Sequence, residues 1–539
     1  MTIKYTEQQL NRLTKADIIQ LFMSQQEQLD SIDKKLQLVL EQLADMNRRR
    51  YGRSTEKSDP ADCEQISFKE VDGQIVFFNE AEAVVDQAGE ADEEDKITVT
   101  RKRGRKKKGK REEDLSGLEA KVIKHTLSDE KLRDIFGDEE WTCLKDEISN
   151  KYVFTPAQVY REEHHIAVYK GKKTGRIVKA PHPHWLLRTS LVSSSMEAAV
   201  INAKYTNAVP LYRQEQEFNR RGIKVTRTDL ARWTIKCAEL YLSVLYDVLC
   251  EKVYTHHVIQ ADETPVLVNH DGRDAGAKSY MWVYRTGRMN NKNQIVIYQY
   301  QKTRNASHPR EFLKGFKGVC VTDGYQVYHT ITDEREDLTI AGCWAHSRRR
   351  FDEAVKALPK AQRKSCVAYE ALQRIQVIYH MEGMLKDLSA EERLKQRQIT
   401  VKPLVEAYFA WAHEIINDVL SRSKTWNGLN YSINQEKYLK VFLDDGEVPM
   451  DNNAAEQSIR GFCIGKKNWV MIDTLSGANA SAIIYSIVET AKANNLKIYE
   501  YIKYLLDVIP EHMEDKNYDF VEDLLPWSDK LPEECKKKC

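Results

Sequence analysis

Apolar positions repeat at two periods along this chain, and the points where the period changes divide it. From residue 6 to 47 the period is helical. Phe22, Leu29, Leu36 and Leu43 stand seven apart, Ile32, Val39 and Met46 fill the matching second position, and Gln25 is the polar exception. About three heptads are near the shortest length for a coiled coil, so this stretch predicts a homodimer or higher oligomer. A helix packed on its own chain is the alternative. Residues 118 to 180 alternate, as in a small β-rich module. Residues 187 to 250 return to a helical period, with a break at Arg220-Arg221-Gly222 and a restart at Thr226, which forms an approximate capping box with Asp229. These are the proportions of a helix-turn-helix, and an αα-hairpin is the competing reading. Leu230, Trp233, Cys237, Leu240 and Val244 make the apolar stripe of the second helix, leaving Arg227 and Arg232 as candidate DNA contacts.

From residue 256 onward short apolar runs suit strands: His256 to Ala261, Ser279 to Arg285 and Gln294 to Tyr300. A helical segment at 308 to 316 precedes another run beginning at Val319. Three strands, a helix and a fourth strand is the order of an RNase H-like core, whose first and fourth strands are neighbours. Asp262 closes the first run, and Pro265 is read as forbidding its extension as a central strand. Asp323 closes the fourth run, with Gly324 supplying the turn. Leu338 to His346 predicts a fifth strand, with a helix from Ser347. Residues 352 to 440 form a helical insertion that either holds DNA or completes the scaffold. Glu456 lies one turn into a helix for which Asp451 or Asn452 is the expected N-cap. An amphipathic helix at 478 to 493 is expected to pack on the sheet, and residues 530 to 539 read as a dispensable tail.

The fold class is therefore α/β: an RNase H-like catalytic core interrupted by a long helical insertion, preceded by a coiled coil, a small β-rich module and a helical region. The expected boundaries are 1–50 for the N-terminal helix, 51–117 for a charged linker with a basic arm, and 118–185 for the β-rich module. The helical DNA-binding region is 186–252 and the first part of the core 253–351. The insertion is 352–445, the Glu-bearing part of the core 446–510, and the tail 511–539.

Composition adds charge to this picture. A net charge of +1 over 539 residues hides opposed blocks, acidic at 80 to 95 and basic at 101 to 111. Neither block can bury a core, so both read as linker. Within the basic run Arg101, Lys102, Arg103, Arg105 and Lys106 suit an arm that follows DNA phosphates, or a solvated segment against the acidic block. Ten scattered cysteines lack a secretory framework, and no stretch approaches the roughly 18 apolar residues of a membrane span. The expected location is the cytoplasm, without a membrane role.

Two strand-end aspartates and one helix-borne glutamate, Asp262, Asp323 and Glu456, suit a pair of hard divalent ions, Mg²⁺ or Mn²⁺. Such a pair serves the cutting and joining of phosphodiester bonds. Asn452 and Asn453 are candidates to orient the carboxylates. Arg460 is placed either in a helix-face pair with Glu456 or over DNA phosphate, alongside Lys466, Lys467 and Asn468. The pair Cys343 and His346 reads as partly buried strand rather than as a metal site.

Three segments carry a resemblance: Ala261-Asp-Glu-Thr-Pro265, Gly342-Cys-Trp-Ala-His-Ser-Arg-Arg-Arg-Phe351, and Asp451 to Arg460 followed by Gly465-Lys-Lys-Asn-Trp469. They look like the transposases of insertion-sequence family sixty-six, the TnpC type. The resemblance implies a bacterial, nucleoid-associated DDE transposase with Asp262, Asp323 and Glu456 as its triad. It places His346 and Arg349 near the scissile phosphate, and it brings accessory transposition proteins as candidate partners. Members of that family often carry two Cys-x-x-Cys pairs for zinc in the β-rich region. This chain has only Cys143 there, so no zinc is expected. The rival readings are a two-metal nuclease without strand transfer, and a coiled-coil DNA-binding regulator with a relic core.

Overall fold

The computed structural model describes residues 190–537 apart from 275, 288–292 and 516, together with 23, 159–170, 172, 177–180 and 185–188. The heptad helix other than Met23, the charged linker with Arg101, Lys102, Arg103, Arg105 and Lys106, and Cys143 lie outside the described residues. The chain forms two compact units, one of Leu186–Lys537 with Met1–Glu80, the other of Ala81–Trp185 with the last two residues. In the second unit, β1 (Val168–Lys170) pairs antiparallel with β2 (Ile177–Lys179).

The first unit opens on helices. Ser193 caps α1 (Ser194–Ile201) by accepting the Met196 N–H at 3.2 Å. The next two, α2 (Leu211–Arg220) and α3 (Arg227–Cys237), flank a turn in which Gly222 takes φ +82°. The expected capping box is present: the Asp229 N–H donates to Thr226 Oγ1 and the Thr226 N–H to Asp229 Oδ2, both at 3.2 Å. The apolar stripe holds only as far as Cys237. A π-helical turn at Ala238–Leu242 shifts the register, so Leu242 is buried while Leu240 is 47% exposed. The buried line continues through Leu245 and Leu249 of α4 (Ser243–Val253).

The sheet follows, with β3 (Val258–His270), β4 (Lys278–Thr286) and β5 (Val296–Gln301) as an antiparallel meander. After α5 (Ser307–Leu313) comes β6 (Gly318–Thr322), and after α6 (Gln326–Asp333) comes β7 (Leu338–Gly342). Both are parallel to β3, giving the order β5-β4-β3-β6-β7. Side chains alternate between two cores. Val258, Val319, Val321 and Ala341 face one, and Ile259, Cys320 and Ile340 face the other.

The strand through Asp262 is longer than Pro265 led us to expect, because it continues to His270. The reason is local. β6 leaves β3 after Gln260, so Pro265 has a strand neighbour, Tyr280, on one side only. Its carbonyl accepts from Lys466 Nζ at 2.7 Å on the other side. In a strand a residue's N–H and C=O point the same way, so the missing donor faces this gap and costs no ladder bond.

Beyond the sheet the chain enters a helical layer, α7 (Trp344–Ala357), α8 (Val367–Gly383), α9 (Ala390–Gln396), α10 (Lys402–Ile415) and α11 (Lys424–Asn434). The first of these begins one turn earlier than the expected Ser347. These helices share a core with one sheet face, including Trp344, Phe351, Ile375 and Phe409. Two buried arginines then fix the returning chain. Arg397 pairs with Glu382 at 2.5 Å and donates to the carbonyls of Phe442 and Asp445, and Arg393 donates to that of Gly446 at 2.7 Å. Gly446 packs so closely that a Cβ would come within 1.9 Å of the Ala390 carbonyl oxygen.

The chain then forms α12 (Asn453–Trp469), β8 (Ile472–Thr474) beside the far end of β3, α13 (Leu475–Ala493) and α14 (Ile498–Val508). The helix α13 is buried nearly all round rather than amphipathic. It lies along the edge strand β5, where Thr490 Oγ1 and Ser486 Oγ accept the Val296 and Tyr298 N–H groups at 3.0 and 2.8 Å. This closes an edge that would otherwise offer unpaired donors. The tail is not loose either: Leu531 and Cys535 are buried, and the Lys497 N–H donates to the Cys535 carbonyl at 2.7 Å.

Candidate active site

Parallel pairing of β3 with β6 sets the first half of the site. Val258 pairs with Val319, Ile259 with Cys320 and Gln260 with Val321. Carrying this register two places further puts Asp262 beside Asp323, at the point where the two strands part. Both carboxylates are held by local backbone. Asp262 Oδ1 accepts the Glu263 N–H at 2.8 Å, and Asp323 Oδ1 accepts the Tyr325 N–H at 2.9 Å across a turn in which Gly324 takes φ +86°.

The second half is the N-terminus of α12. Asn452 is fully buried, and its Nδ2 donates to the Ala261 carbonyl at 2.8 Å while its N–H meets Cys343 Sγ at 3.2 Å. Gln260 Nε2 donates to the Asp451 carbonyl at 2.9 Å. Asn452 thus occupies the N-cap position without capping, and the Asn453 N–H is taken instead by Asp451 Oδ1 at 3.1 Å. From the sheet, Arg285 donates to the Ala454 carbonyl and to Ser458 Oγ, fixing the first turn of the helix. Glu456 is carried by that turn.

The charges of Asp323 and Glu456 both act on Asp262. Burial pushes the Asp262 carboxyl well above its usual range, and the negative charges of Glu263, Asp323 and Glu456 push the same way. Glu263 is raised to about 7 by burial and by Asp323, with Arg304 pulling it back through a direct ion pair. Glu456 accepts from Arg349 at 2.8 Å and has His346 Nδ1 at 3.6 Å. Burial lowers the His346 imidazole below its usual range, with Arg349 and Arg350 adding to burial and Glu456 and Asp323 opposing it. Glu456 Oε1, Glu263 Oε2, His346 Nδ1 and Asn452 Oδ1 are buried without a hydrogen-bond partner.

The other expected contact residues divide. His346 and Arg349 converge on Glu456. Arg460 is exposed, and Glu456 pairs with Arg349, with His346 nearby, rather than with Arg460 four residues on. Asn453 binds Asp451 through Nδ2 at 2.7 Å. Lys466 is held on Pro265, Asn468 Nδ2 donates to the Ala208 carbonyl at 2.8 Å, and Lys467 is exposed. Arg227 lies over the Tyr212 ring and Arg232 is exposed, both on α3. Cys343, His346 and Glu456 place one ligand atom each within 4.8 Å of one another, closer than the strand-pair reading of Cys343 and His346 anticipated. Sequence reasoning missed Glu263 and Arg304. Glu263 stood inside the Ala261-Asp-Glu-Thr-Pro265 segment, where an acidic residue next to a candidate aspartate was the available signal.

The sequence profile of the Transposase IS66 family matches residues 189–480, more than half of the chain. The chain belongs to this transposase family. Profiles of the IS66 C-terminal element and of the Transposase C of IS166 homeodomain match residues 486–527 and 39–121. Among similar proteins are the uncharacterized proteins y4qI and y4jD of Sinorhizobium fredii (strain NBRC 101917 / NGR234). They are 28% and 27% identical over 362 and 360 residues, which are 65% of this chain in each comparison. The chain spans 65% of the length of the first and 69% of the second. In this IS66-family chain the sheet, the helical layer and α12 all fall inside the first matched segment, and α14 falls in the C-terminal element. Among the described residues no helix is long and apolar enough to cross a membrane.

Proposed function

We propose that this chain is a DDE transposase that binds double-stranded DNA at the ends of a mobile element, cuts a strand there and joins the freed 3′ end to target DNA. The observation that carries the reading is that Asp262, at the point where two parallel strands part, feels the charges of both Asp323 and Glu456. The strand order, three antiparallel and two parallel, supports an RNase H-like core. The helical layer between its halves then serves as a scaffold that returns Glu456 to the sheet.

The residues fit divalent metal. Several carboxylates are crowded together, one of them pushed well above its usual range, and Glu456 Oε1 and Glu263 Oε2 lack partners. An all-oxygen donor set suits Mg²⁺ or Mn²⁺. Asp262, Asp323 and Glu456 are the residues that would hold two such ions. When bound, they would supply activation of the attacking oxygen and stabilisation of the leaving 3′ oxygen.

The chain's own groups do the rest. Asn452 fixes α12 against β3, which sets the distance from Glu456 to the aspartates. Arg349 is half-exposed while it orients Glu456, so it can reach a phosphate. His346, held toward its neutral form, can donate a hydrogen bond there without adding charge. Arg227, Arg232, Arg460, Lys467 and the arm at 101–106 supply phosphate contacts farther out. The heptads of residues 22 to 46 pair two copies, so that two DNA ends are held together, with accessory transposition proteins as further partners.

The test is incubation of purified protein with supercoiled plasmid carrying candidate ends and Mg²⁺, beside Asp323→Asn. Nicked and joined products are expected from the wild type and neither from the variant. Nicking without joining would leave a nuclease, and full activity of Asp323→Asn would overturn the triad.

A further inference from the structure

Against the Asp323 turn lies a polar pocket of about 650 Å³, lined by none of the triad residues. Its walls come from the turn itself at Gly324, from α6, from α7, and from one face of α11 and the residues after it. Three features point to a ligand. First, its amides are unusually concentrated: Asn430, Asn434 and Gln435 face it, and Gln435 Oε1 is buried with no partner. Second, His329 is only 4% exposed and its Nε2 likewise has no partner, while its ring is stacked on Tyr438 at 3.9 Å. Third, the Arg350 guanidinium lies 4.1 Å above the Tyr431 ring, and no ion pair to a carboxylate holds it among the described residues.

Buried polar atoms without partners are costly, so a polar ligand that met the two in this pocket would be repaid for doing so. Amide side chains match the donor and acceptor edges of a nucleobase, and a guanidinium without a carboxylate partner suits its phosphate. A volume of this size admits a nucleotide. The position is equally specific. Tyr431 Oη donates to the Asp323 carbonyl at 2.8 Å, so one wall of the pocket is bonded to the turn that presents a triad carboxylate.

We propose that this pocket receives one unpaired nucleobase of the DNA strand next to the scissile phosphate, holding it by its edge against Asn430, Asn434 and Gln435. The proposal rests on the transposase reading for the identity of the strand, but not for the chemistry of the pocket. An extruded base would anchor the strand within reach of Asp323, and its contact with Tyr431 would couple anchoring to the placement of that carboxylate.

The test is equilibrium binding of the full chain to labelled duplexes of one sequence that carry either a single adenine bulge or the same bulge as an abasic residue. The wild type should bind the adenine bulge about ten-fold more tightly, the scale of one base held by its edge on amide groups. Asn434→Ala, an exposed position, and Gln435→Ala should each erase most of that preference while binding the abasic duplex as the wild type does. A thermal melt of each variant verifies folding. Equal wild-type affinity for the two duplexes, or a preference unchanged in both variants, would overturn the proposal. Binding of free dAMP by the wild type and not by Gln435→Ala, with no preference between the duplexes, would replace the DNA strand by a free nucleotide as the source of the base. These measurements need no cleavage. A plasmid assay without products would defeat the transposase reading alone, and products without a bulge preference would defeat the pocket alone.

Discussion

Asn452 Nδ2 donates to the carbonyl oxygen of Ala261 at 2.8 Å, joining the start of α12 to the residue immediately before Asp262. The bond crosses 191 positions of sequence and is fully buried. It converts two independent elements into one platform, so that the separation between Glu456 and the aspartates does not depend on the helix alone. Asn452→Ala should therefore cost about 1–3 kcal/mol of stability by leaving the Ala261 carbonyl unpaired. It should also reduce cleavage roughly 10–100-fold, the usual effect of losing a group that orients metal ligands. A raised Mg²⁺ concentration for half-maximal cleavage distinguishes this from simple unfolding. Wild-type activity at ordinary Mg²⁺ would count against the platform.

The crowding of carboxylates around Asp262 makes a second prediction. A carboxyl whose pKa is raised in the folded chain binds its proton more tightly there than in the unfolded chain. Its ionisation at neutral pH therefore works against folding until a cation arrives. Asp262→Asn should raise the melting temperature of the metal-free protein, by roughly 1–2 °C for each kcal/mol recovered. Mg²⁺ should raise the wild-type melting temperature and raise that of the variant by less. A variant that melts lower, together with a wild type indifferent to Mg²⁺, would show that the acidic cluster does not bind metal.

Much of this site could be read before the structure, and the parts that could not share a cause. Asp262 and Asp323 were legible because strand order alone makes the first and fourth strands neighbours. Glu456 was legible because a local cap and helical period placed it in a first turn. His346 and Arg349 came only through family resemblance, since no periodicity links α7 to α12. Arg393 and Arg397, which fix the returning chain, look like ordinary helix-surface charges until Glu382 and the carbonyls of residues 442 to 446 are brought to them. Pro265 misled for the same reason. Whether proline ends a strand depends on which edge its missing N–H faces, and that is decided by where β6 leaves β3. Leu240 was assigned to the wrong face because a π-helical turn breaks a 3.6-residue extrapolation without a marker in the sequence.

Glu197 supplies a pH signature of its own, outside the carboxylates of the candidate site. It is completely buried on α1, and Thr234 Oγ1 donates to its Oε1 at 2.8 Å. Burial raises its carboxyl to about 8, against opposing contributions from the Thr234 bond and Lys204. Because the folded value lies above the unfolded one, the associated stability is fully present below the unfolded value of 4.5 and is lost as pH rises through about 8. At about 1.36 kcal/mol per unit this is a loss of a few kcal/mol. Glu197→Gln retains the acceptor for Thr234 and removes the ionisation. Its melting temperature should match the wild type near pH 5 and exceed it by several degrees at pH 9. Parallel curves for the two proteins across that range would refute the assignment.

The C-terminal tail offers the plainest contrast with what composition suggested. Lysine-rich and charged, it reads as dispensable, yet Leu531 and Cys535 are 3% and 2% exposed. Its backbone closes on the turn after α13, with the Lys497 N–H on the Cys535 carbonyl at 2.7 Å and the Lys537 N–H on that of Asn495 at 3.1 Å. These bonds hold the entry to α14, whose Tyr501 and Leu505 belong to the main core. Truncation after Lys530 should expose that core surface and lower stability by about 2–5 kcal/mol, the range for removing one large buried aliphatic side chain. Leu531→Ala alone should account for most of the loss, while Lys530→Ala, on the surface, should stay within about 0.5 kcal/mol. Chemical denaturation of the three proteins measures this directly. If the truncated chain unfolds at the wild-type midpoint, the docking of the tail contributes nothing to the fold.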